Sequence, residues 1–228
     1  MKHSGKARKA GFKIIFLSLI AVLVVWAILA FAVTAAAVVT AVVITLMTLW
    51  IIFAAFTLYF FRDPDPRCPT GVNLVLSPGH GKVDVIDTLS EAQFMGGECQ
   101  RISMFLSVIN VHVQNAPVGG KITFFKYARG QFMSALQTAS AEHNENILIG
   151  IEANEPAREK IGVRLIAGVL ARRIVSFVQA GDEVARGERI SLIQFGSRVD
   201  VYLPLRAKIR VKLGDHSVGG ETVLAVFD

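Results

Sequence analysis

The chain divides sharply by hydropathy. From Ile14 to Phe61 no residue carries a charge, and beyond Phe61 apolar and polar positions alternate in short runs broken by glycine. As one helix rising ~1.5 Å per residue, the charge-free stretch would be about 70 Å long, more than twice the roughly 30 Å hydrocarbon core of a bilayer. It is expected to cross twice, with spans at about Ile14 to Phe31 and Val38 to Phe60 and a reversal among the small residues Ala32 to Ala37. That is a two-helix transmembrane hairpin. Trp26, Trp50 and Tyr59 are amphipathic, and the last two suit a membrane interface. Signal peptides share the basic-then-apolar start, but their apolar region is only ~7 to 15 residues, shorter than either span.

FRDPDPR, Phe61 to Arg67, ends the second span with two prolines that cannot continue a helix. Residues 62–228 then read as one mainly β (α+β) domain after an N-terminal 1–61 membrane region. Its strand-like runs are Val72 to Leu76, Lys82 to Ile86, Ile102 to Leu106, Val111 to Val113, Lys121 to Tyr127, Ile147 to Glu152, Ile161 to Ala167, Ile174 to Val178 and Ile190 to Gln194. One helix is predicted within Phe132 to Glu145. LRAKIRVKL, Leu205 to Leu213, alternates strictly, placing Arg206, Lys208, Arg210 and Lys212 on one face and Ala207, Ile209 and Val211 on the other. GDEVARGERISLI from Gly181 and GDHSVGGETVLAV from Gly214 share Gly-Asp, then Gly-Glu, then an apolar run. This internal repeat predicts two hairpins of one design. Such half-units resemble those of biotinyl and lipoyl carrier barrels, although no lysine stands at an obvious carrier turn.

Charge sharpens the division. Lys2, Lys6, Arg8, Lys9 and Lys13 supply five of the formal net charge of +6, and the remaining 19 basic residues are balanced by 18 acidic ones. The positive-inside rule holds that basic N-terminus in the cytoplasm, and two crossings return the rest of the chain to the same side of a cell (inner) membrane. A nearly neutral domain without basic faces and interleaved aromatics argues against nucleic acid as a partner. Cys68 and Cys99 are too few for a disulfide framework and lack metal-ligand spacing, so reduced thiols and no metal are expected.

One dipeptide raises a specific chemistry. In QFGSRVDVYLP, Gln194 to Pro204, Gly196-Ser197 separates two strand-like runs. A hydrolase elbow needs G-x-S-x-G between strand and helix, which this is not. The other chemistry open to Gly-Ser is attack on the chain itself: the Ser197 hydroxyl adds to the Gly196 carbonyl to form an ester, and β-elimination breaks the chain. Glycine suits the acyl side because, without Cβ, its carbonyl can be closely approached.

These residues carry a family resemblance. ERISLIQFGSRVDVYLP, ARRIV at Ala171 to Val175, FFRDPDPR at Phe60, SPGHGKV at Ser77, FLSVINVHVQNAP at Phe105, HNENILI at His143 and the GDxVxxGE hairpin at Gly181 occur in order. Together they resemble the phosphatidylserine decarboxylase proenzymes, in particular their short bacterial branch. The resemblance implies self-cleavage between Gly196 and Ser197 into a large and a small chain. The small chain would begin with a covalent pyruvoyl group made from Ser197, which forms a Schiff base with the amine of phosphatidylserine and accepts the electrons left by departing carbon dioxide. The product would be phosphatidylethanolamine. His112 falls on a histidine of the family motif, where an imidazole titrating near neutrality would transfer protons.

Two positions depart from that pattern. His80 stands where SP-x-D-G expects an aspartate, and Asn115 stands where longer members have a second histidine. His80 is a weaker candidate proton carrier, since it cannot be the permanent anion of a triad. Asp84, Asp87 and Glu145 are candidate replacements, whereas His143 and His216 read as solvent-facing turn residues. Alternatives are the same chemistry on another serine phospholipid, such as archaetidylserine, and a non-enzymatic membrane-tethered β-barrel adaptor. A homo-oligomer is left open.

Overall fold

The structure, a computed structural model, describes residues 6–131, 144–155, 158–168, 174–193 and 197–228. It divides into two compact units, one ending at Thr57 and one running from Leu58 to Asp228.

The first unit shows no reversal where the hairpin was predicted. One uninterrupted helix, α1 (Lys6–Phe60), takes the place of two spans and a reversal. The reason is local: Ala32 to Ala37 contains no glycine or proline, and alanine is the best helix former. Thr34, the one polar residue there, donates its hydroxyl to the carbonyls of Ala30 (3.1 Å) and Phe31 (2.9 Å), so it leaves no backbone group to a turn. The apolar part, Phe16–Phe60, is 45 residues, long and apolar enough to cross a membrane.

The second unit is mainly β, as predicted. Its strands are β1 (Leu74–Leu76), β2 (Gly81–Glu91), β3 (Gly97–Leu106), β4 (Val113–Asn115), β5 (Gly120–Ala128), β6 (Asn146–Ala153), β7 (Lys160–Ala167), β8 (Ile174–Ser176), β9 (Glu183–Val184), β10 (Arg189–Ile193), β11 (Ser197–Leu203), β12 (Lys208–Ile209), β13 (His216–Ser217) and β14 (Val223–Val226). The predicted helix in Phe132 to Glu145 lies outside the described residues, apart from Asn144 and Glu145. LRAKIRVKL forms a ladder of only two residues, but its faces divide as expected: the four cations are exposed, Ala207 is buried, and Ile209 and Val211 are half-buried.

The strand order shows a duplication larger than the hairpin repeat. The long sheet runs β13-β2-β3-β11-β7-β6-β5-β9, and the two small sheets run β1-β14-β12 and β4-β10-β8. Exchanging β13 with β9, β2 with β5, β3 with β6, β11 with β7, β1 with β4, β14 with β10 and β12 with β8 maps each order onto itself or its counterpart. Val83 donates to Asp215 O (2.9 Å) and accepts from Gly214 N (2.8 Å), while Ile122 donates to Asp182 O (2.8 Å) and accepts from Gly181 N (2.8 Å). The β2/β3 bulge between Val83 and Val85 likewise matches the β5/β6 bulge between Ile122 and Phe124. SPGHGKV and APVGGKI, at Ser77 and Ala116, are therefore copies of one element. Hairpin glycines Gly181, Gly187, Gly214 and Gly220 all have φ between +71° and +100°, a region that side chains with a Cβ avoid. This explains why the repeat preserves them.

Valine, isoleucine and leucine side chains from both halves fill the interior between the sheets. β11 and β7 meet at the centre of the long sheet, where Ser197, the first residue of β11, stands opposite Ala167 of β7 and Leu106 of β3.

Candidate active site

β11 alternates two kinds of buried residue. Ser197, Val199, Val201 and Leu203 fall on one face, and Arg198, Asp200 and Tyr202 fall on the other. The Ser197 side chain is fully buried, and its Oγ makes no hydrogen bond among the described residues. A buried hydroxyl without a partner costs roughly 1–3 kcal/mol, which a purely structural serine would avoid by bonding or by being alanine. Gly196, the other half of the predicted scissile pair, lies outside the described residues, as does His143.

His112 lies on the segment between β3 and β4, close in the fold to the start of β11. Its carbonyl accepts from Ile193 N (3.1 Å) at the end of β10, and its chain segment leaves β3 just after Leu106, the cross-strand partner of Ser197. The ring is buried, stacked on Phe60 at 4.3 Å between centroids, with Nδ1 2.9 Å from Asn110 O. Gln114 Nε2 donates to the His112 carbonyl (2.6 Å), and Gln114 Oε1 accepts from Ser191 Oγ (2.7 Å). Burial, helped by the Arg62 and His80 charges and opposed by the bond to Asn110, lowers the imidazole pKa to about 4. His112 is therefore neutral throughout the neutral range, not titrating near pH 7 as the sequence suggested.

The two positions that depart from the family pattern lie beside each other. A Cβ on Gly219 would stand 2.9 Å from Asn115 Oδ1 and 3.0 Å from the His80 ring, so both side chains close on one glycine. Asn115 is fixed there by donating Nδ2 to Gly187 O (2.8 Å). The His80 pKa is lowered, first by burial and then by Arg62, with Glu221 opposing.

The candidate carboxylates separate by geometry. Asp87 is held by Arg101 (2.6 Å and 3.0 Å). Asp84, placed at the β2 bulge, receives both terminal nitrogens of Arg198 (2.8 Å and 2.6 Å). Glu145 is buried, and its carbonyl accepts from Ala167 N (2.9 Å) beside the Ser197 register position. His216 is exposed as expected, but it lies in β13, paired with Lys82, and not in a turn.

Sequence reasoning passed over the network around Arg198. This arginine, one residue after Ser197 and only 1% exposed, also donates to Ser103 Oγ (2.7 Å), which bonds Asp200. Burial raises the Asp200 pKa against that hydrogen bond and the surrounding arginines. A readable signal existed: R-V-D-V within a strand puts two opposite charges on the face that the valines do not occupy.

A self-processing serine enzyme is the class suggested by a buried serine at the head of a central strand, without a hydrogen-bond partner among the described residues, and the chain's similarities agree. Residues 53–225 match the phosphatidylserine decarboxylase family. A phosphatidylserine decarboxylase proenzyme of Desulfotalea psychrophila is 42% identical over 179 residues, covering 78% of this chain and 83% of that relative. Proenzymes of the same name from Chlorobium limicola and Gluconobacter oxydans are 44% and 45% identical, each covering more than three quarters of both chains. This chain belongs to the phosphatidylserine decarboxylase family, a family of decarboxylases made as proenzymes, which does not favour the adaptor alternative.

Proposed function

We propose that this protein decarboxylates phosphatidylserine to phosphatidylethanolamine after cutting itself between Gly196 and Ser197, with a pyruvoyl group made from Ser197. The observation that carries the reading is the Ser197 hydroxyl, fully buried at the start of β11 and without a hydrogen-bond partner among the described residues. It fits a serine whose side chain is a reactant and not a structural hydrogen-bonding group.

The pyruvoyl group supplies an electrophilic ketone and an electron sink for carbon dioxide loss from an α-amino carboxylate. The protein's own residues prepare and position it. Ser197 Oγ is the nucleophile: its bond to the Gly196 carbonyl carbon forms as the Gly196–Ser197 peptide bond breaks, and the peptide nitrogen takes a proton. Elimination then removes the Ser197 α-proton and breaks its Cβ–O bond, releasing the Gly196 carboxylate and leaving dehydroalanine; water adds to this and ammonia departs, which leaves the pyruvoyl group. His112, neutral at physiological pH with Nδ1 held at the Asn110 carbonyl, offers Nε2 as the base that takes a proton from the reacting serine, and burial favours its passing that proton on. His80 is a second imidazole whose pKa burial lowers, near enough to His112 for their charges to interact. Arg198 is a positioning residue: its paired, buried side chain anchors the backbone immediately after the bond to be broken.

The apolar helix attaches the enzyme to the membrane that holds its lipid substrate. In a bilayer its 45 apolar residues exceed one crossing by more than 30 Å at ~1.5 Å per residue, so water would meet many apolar side chains unless the segment turns back. Two crossings would leave both termini in the cytoplasm, with the β unit facing it from the inner membrane.

Denaturing mass spectrometry of the purified protein tests the reading. Two chains divided between Gly196 and Ser197 are expected, the smaller one blocked to N-terminal sequencing, with carbon dioxide released from carboxyl-labelled phosphatidylserine. Ser197→Ala should remain a single inactive chain. Full activity from an uncut chain would overturn the mechanism.

A further inference from the structure

The turn that follows β3 carries the wrong residues for an ordinary turn. Ser107–Asn110 is closed tightly: Asn110 N donates to Ser107 O (2.9 Å), and Asn110 Oδ1 accepts from Ser107 N (2.9 Å) and Oγ (2.7 Å). Its two central residues are Val108 and Ile109, where turns exposed to water favour glycine, proline, asparagine, aspartate or serine. Ile109 is 61% exposed and Val108 37%. Both side chains are held outward on a rigid support.

Position gives this tip a meaning. Leu106, one residue before the turn, is the register partner of Ser197, and Asn110, its last residue, holds His112 Nδ1 at 2.9 Å. The turn therefore borders the site. On its other side Arg62 donates Nη2 to Ile109 O (2.7 Å) and Nη1 to Tyr59 O (2.8 Å), with its guanidinium 4.0 Å from the Tyr59 ring centroid. The tip is thus tied directly to the end of the apolar helix, where Leu58, Tyr59 and Phe61 are also exposed. Tyrosine and arginine at such an end are interfacial anchors.

We infer that Val108 and Ile109 insert into the headgroup–acyl boundary of the bilayer, forming a rim through which serine phospholipid passes from the membrane plane to Ser197. The inference rests on the membrane-bound decarboxylase reading above. The occupant is a lipid surface because the exposed apolar tip is continuous with the helix end that leaves the membrane. An amphipathic substrate then reaches the buried serine without its acyl chains crossing water.

The test replaces both residues, Val108→Asp with Ile109→Asp and, as a milder version, Val108→Ser with Ile109→Ser, in the full chain reconstituted in phosphatidylcholine vesicles. Two substrates are compared: long-chain phosphatidylserine in the same bilayer, and dihexanoyl phosphatidylserine dissolved below its micelle concentration. Turnover of the bilayer substrate should fall by roughly tenfold or more, the factor matching loss of part of one apolar side chain's burial, with the dissolved substrate affected less than about twofold. Equal losses on both substrates, or no loss on either, would overturn the inference. An environment-sensitive fluorophore on Ile109→Cys, in a Cys68→Ser background, gives a second reading that does not require turnover. It should shift to the blue and resist aqueous iodide in vesicles, whereas the same label on Thr88→Cys should not; identical quenching at both positions would refute the rim. If the wild type decarboxylates neither substrate, the decarboxylase reading fails, and the fluorophore still decides the rim.

Discussion

Removing the titration of His112 should change how stability depends on pH. The imidazole is buried against Phe60 and has its pKa lowered from 6.5 to about 4. Between those values the unfolded chain binds a proton that the folded one does not, so stability falls as pH drops from 6.5 and levels off below 4. At 1.36 kcal/mol per pH unit the full loss is about 3 kcal/mol, and by pH 5 about 2 kcal/mol of it has been incurred. For a domain of this size that corresponds to a melting temperature lower by ~4–8 °C at pH 5 than at pH 8. His80 adds to the trend with the same sign, since its pKa is also lowered. The measurement compares Ser197→Ala with Ser197→Ala/His112→Gln, both single chains in detergent, by thermal unfolding from pH 4 to 8. The difference between the two curves isolates His112 from His80 and the carboxylates. If the two proteins lose stability in parallel over that range, His112 is not held neutral by its surroundings and the argument from burial is wrong.

Arg198→Met should destabilise the β unit by about 3 kcal/mol, the lower end for breaking a buried ion pair because Asp84 is 30% exposed, and should slow self-cleavage of the chain. Denaturant unfolding of the Ser197→Ala precursor, with and without the change, measures the first, and the time course of chain separation measures the second; wild-type values for both would remove Arg198 from its positioning role. Topology is tested with thiol reagents in sealed vesicles. Cys68, exposed in the β unit, and a cysteine placed at Ser4 should be modified from the same side, and modification from opposite sides would exclude two crossings.

Several parts of this protein were legible because they are local. A charge-free stretch of membrane-crossing length needs no partner to be recognised. The Gly-Asp/Gly-Glu repeat is readable because positive φ at Gly181, Gly187, Gly214 and Gly220 is a requirement of single residues. Gly196-Ser197 stood out by its chemistry. β10 ends at Ile193 and β11 begins at Ser197 itself, so the serine of the pair belongs to the second strand. The SPGHGKV and APVGGKI copies were equally present in the chain, but their likeness is weak until identical hydrogen bonds to the two hairpins show that they are equivalent.

What tertiary structure decided depends on residues far apart in the chain. Alternation in RVDVYLP separates Arg198 and Asp200 from the valines, yet it cannot say that this second face is buried, or that a bulge turns Asp84 toward Arg198 across 114 residues. Nor can a sequence motif set the charge of His112: the local pattern suggests an imidazole near neutrality, while packing against Phe60 and removal from water make it neutral. The convergence of His80 and Asn115 on Gly219 is of the same kind. Helix continuity through Ala32 to Ala37 follows the opposite logic, local propensity prevailing where no tertiary contact competes. Propensity, turn conformation and nucleophile identity belong to single residues or short runs and can be read directly. Burial, register and pKa arise from which distant strands pack together, and only the folded chain contains that information.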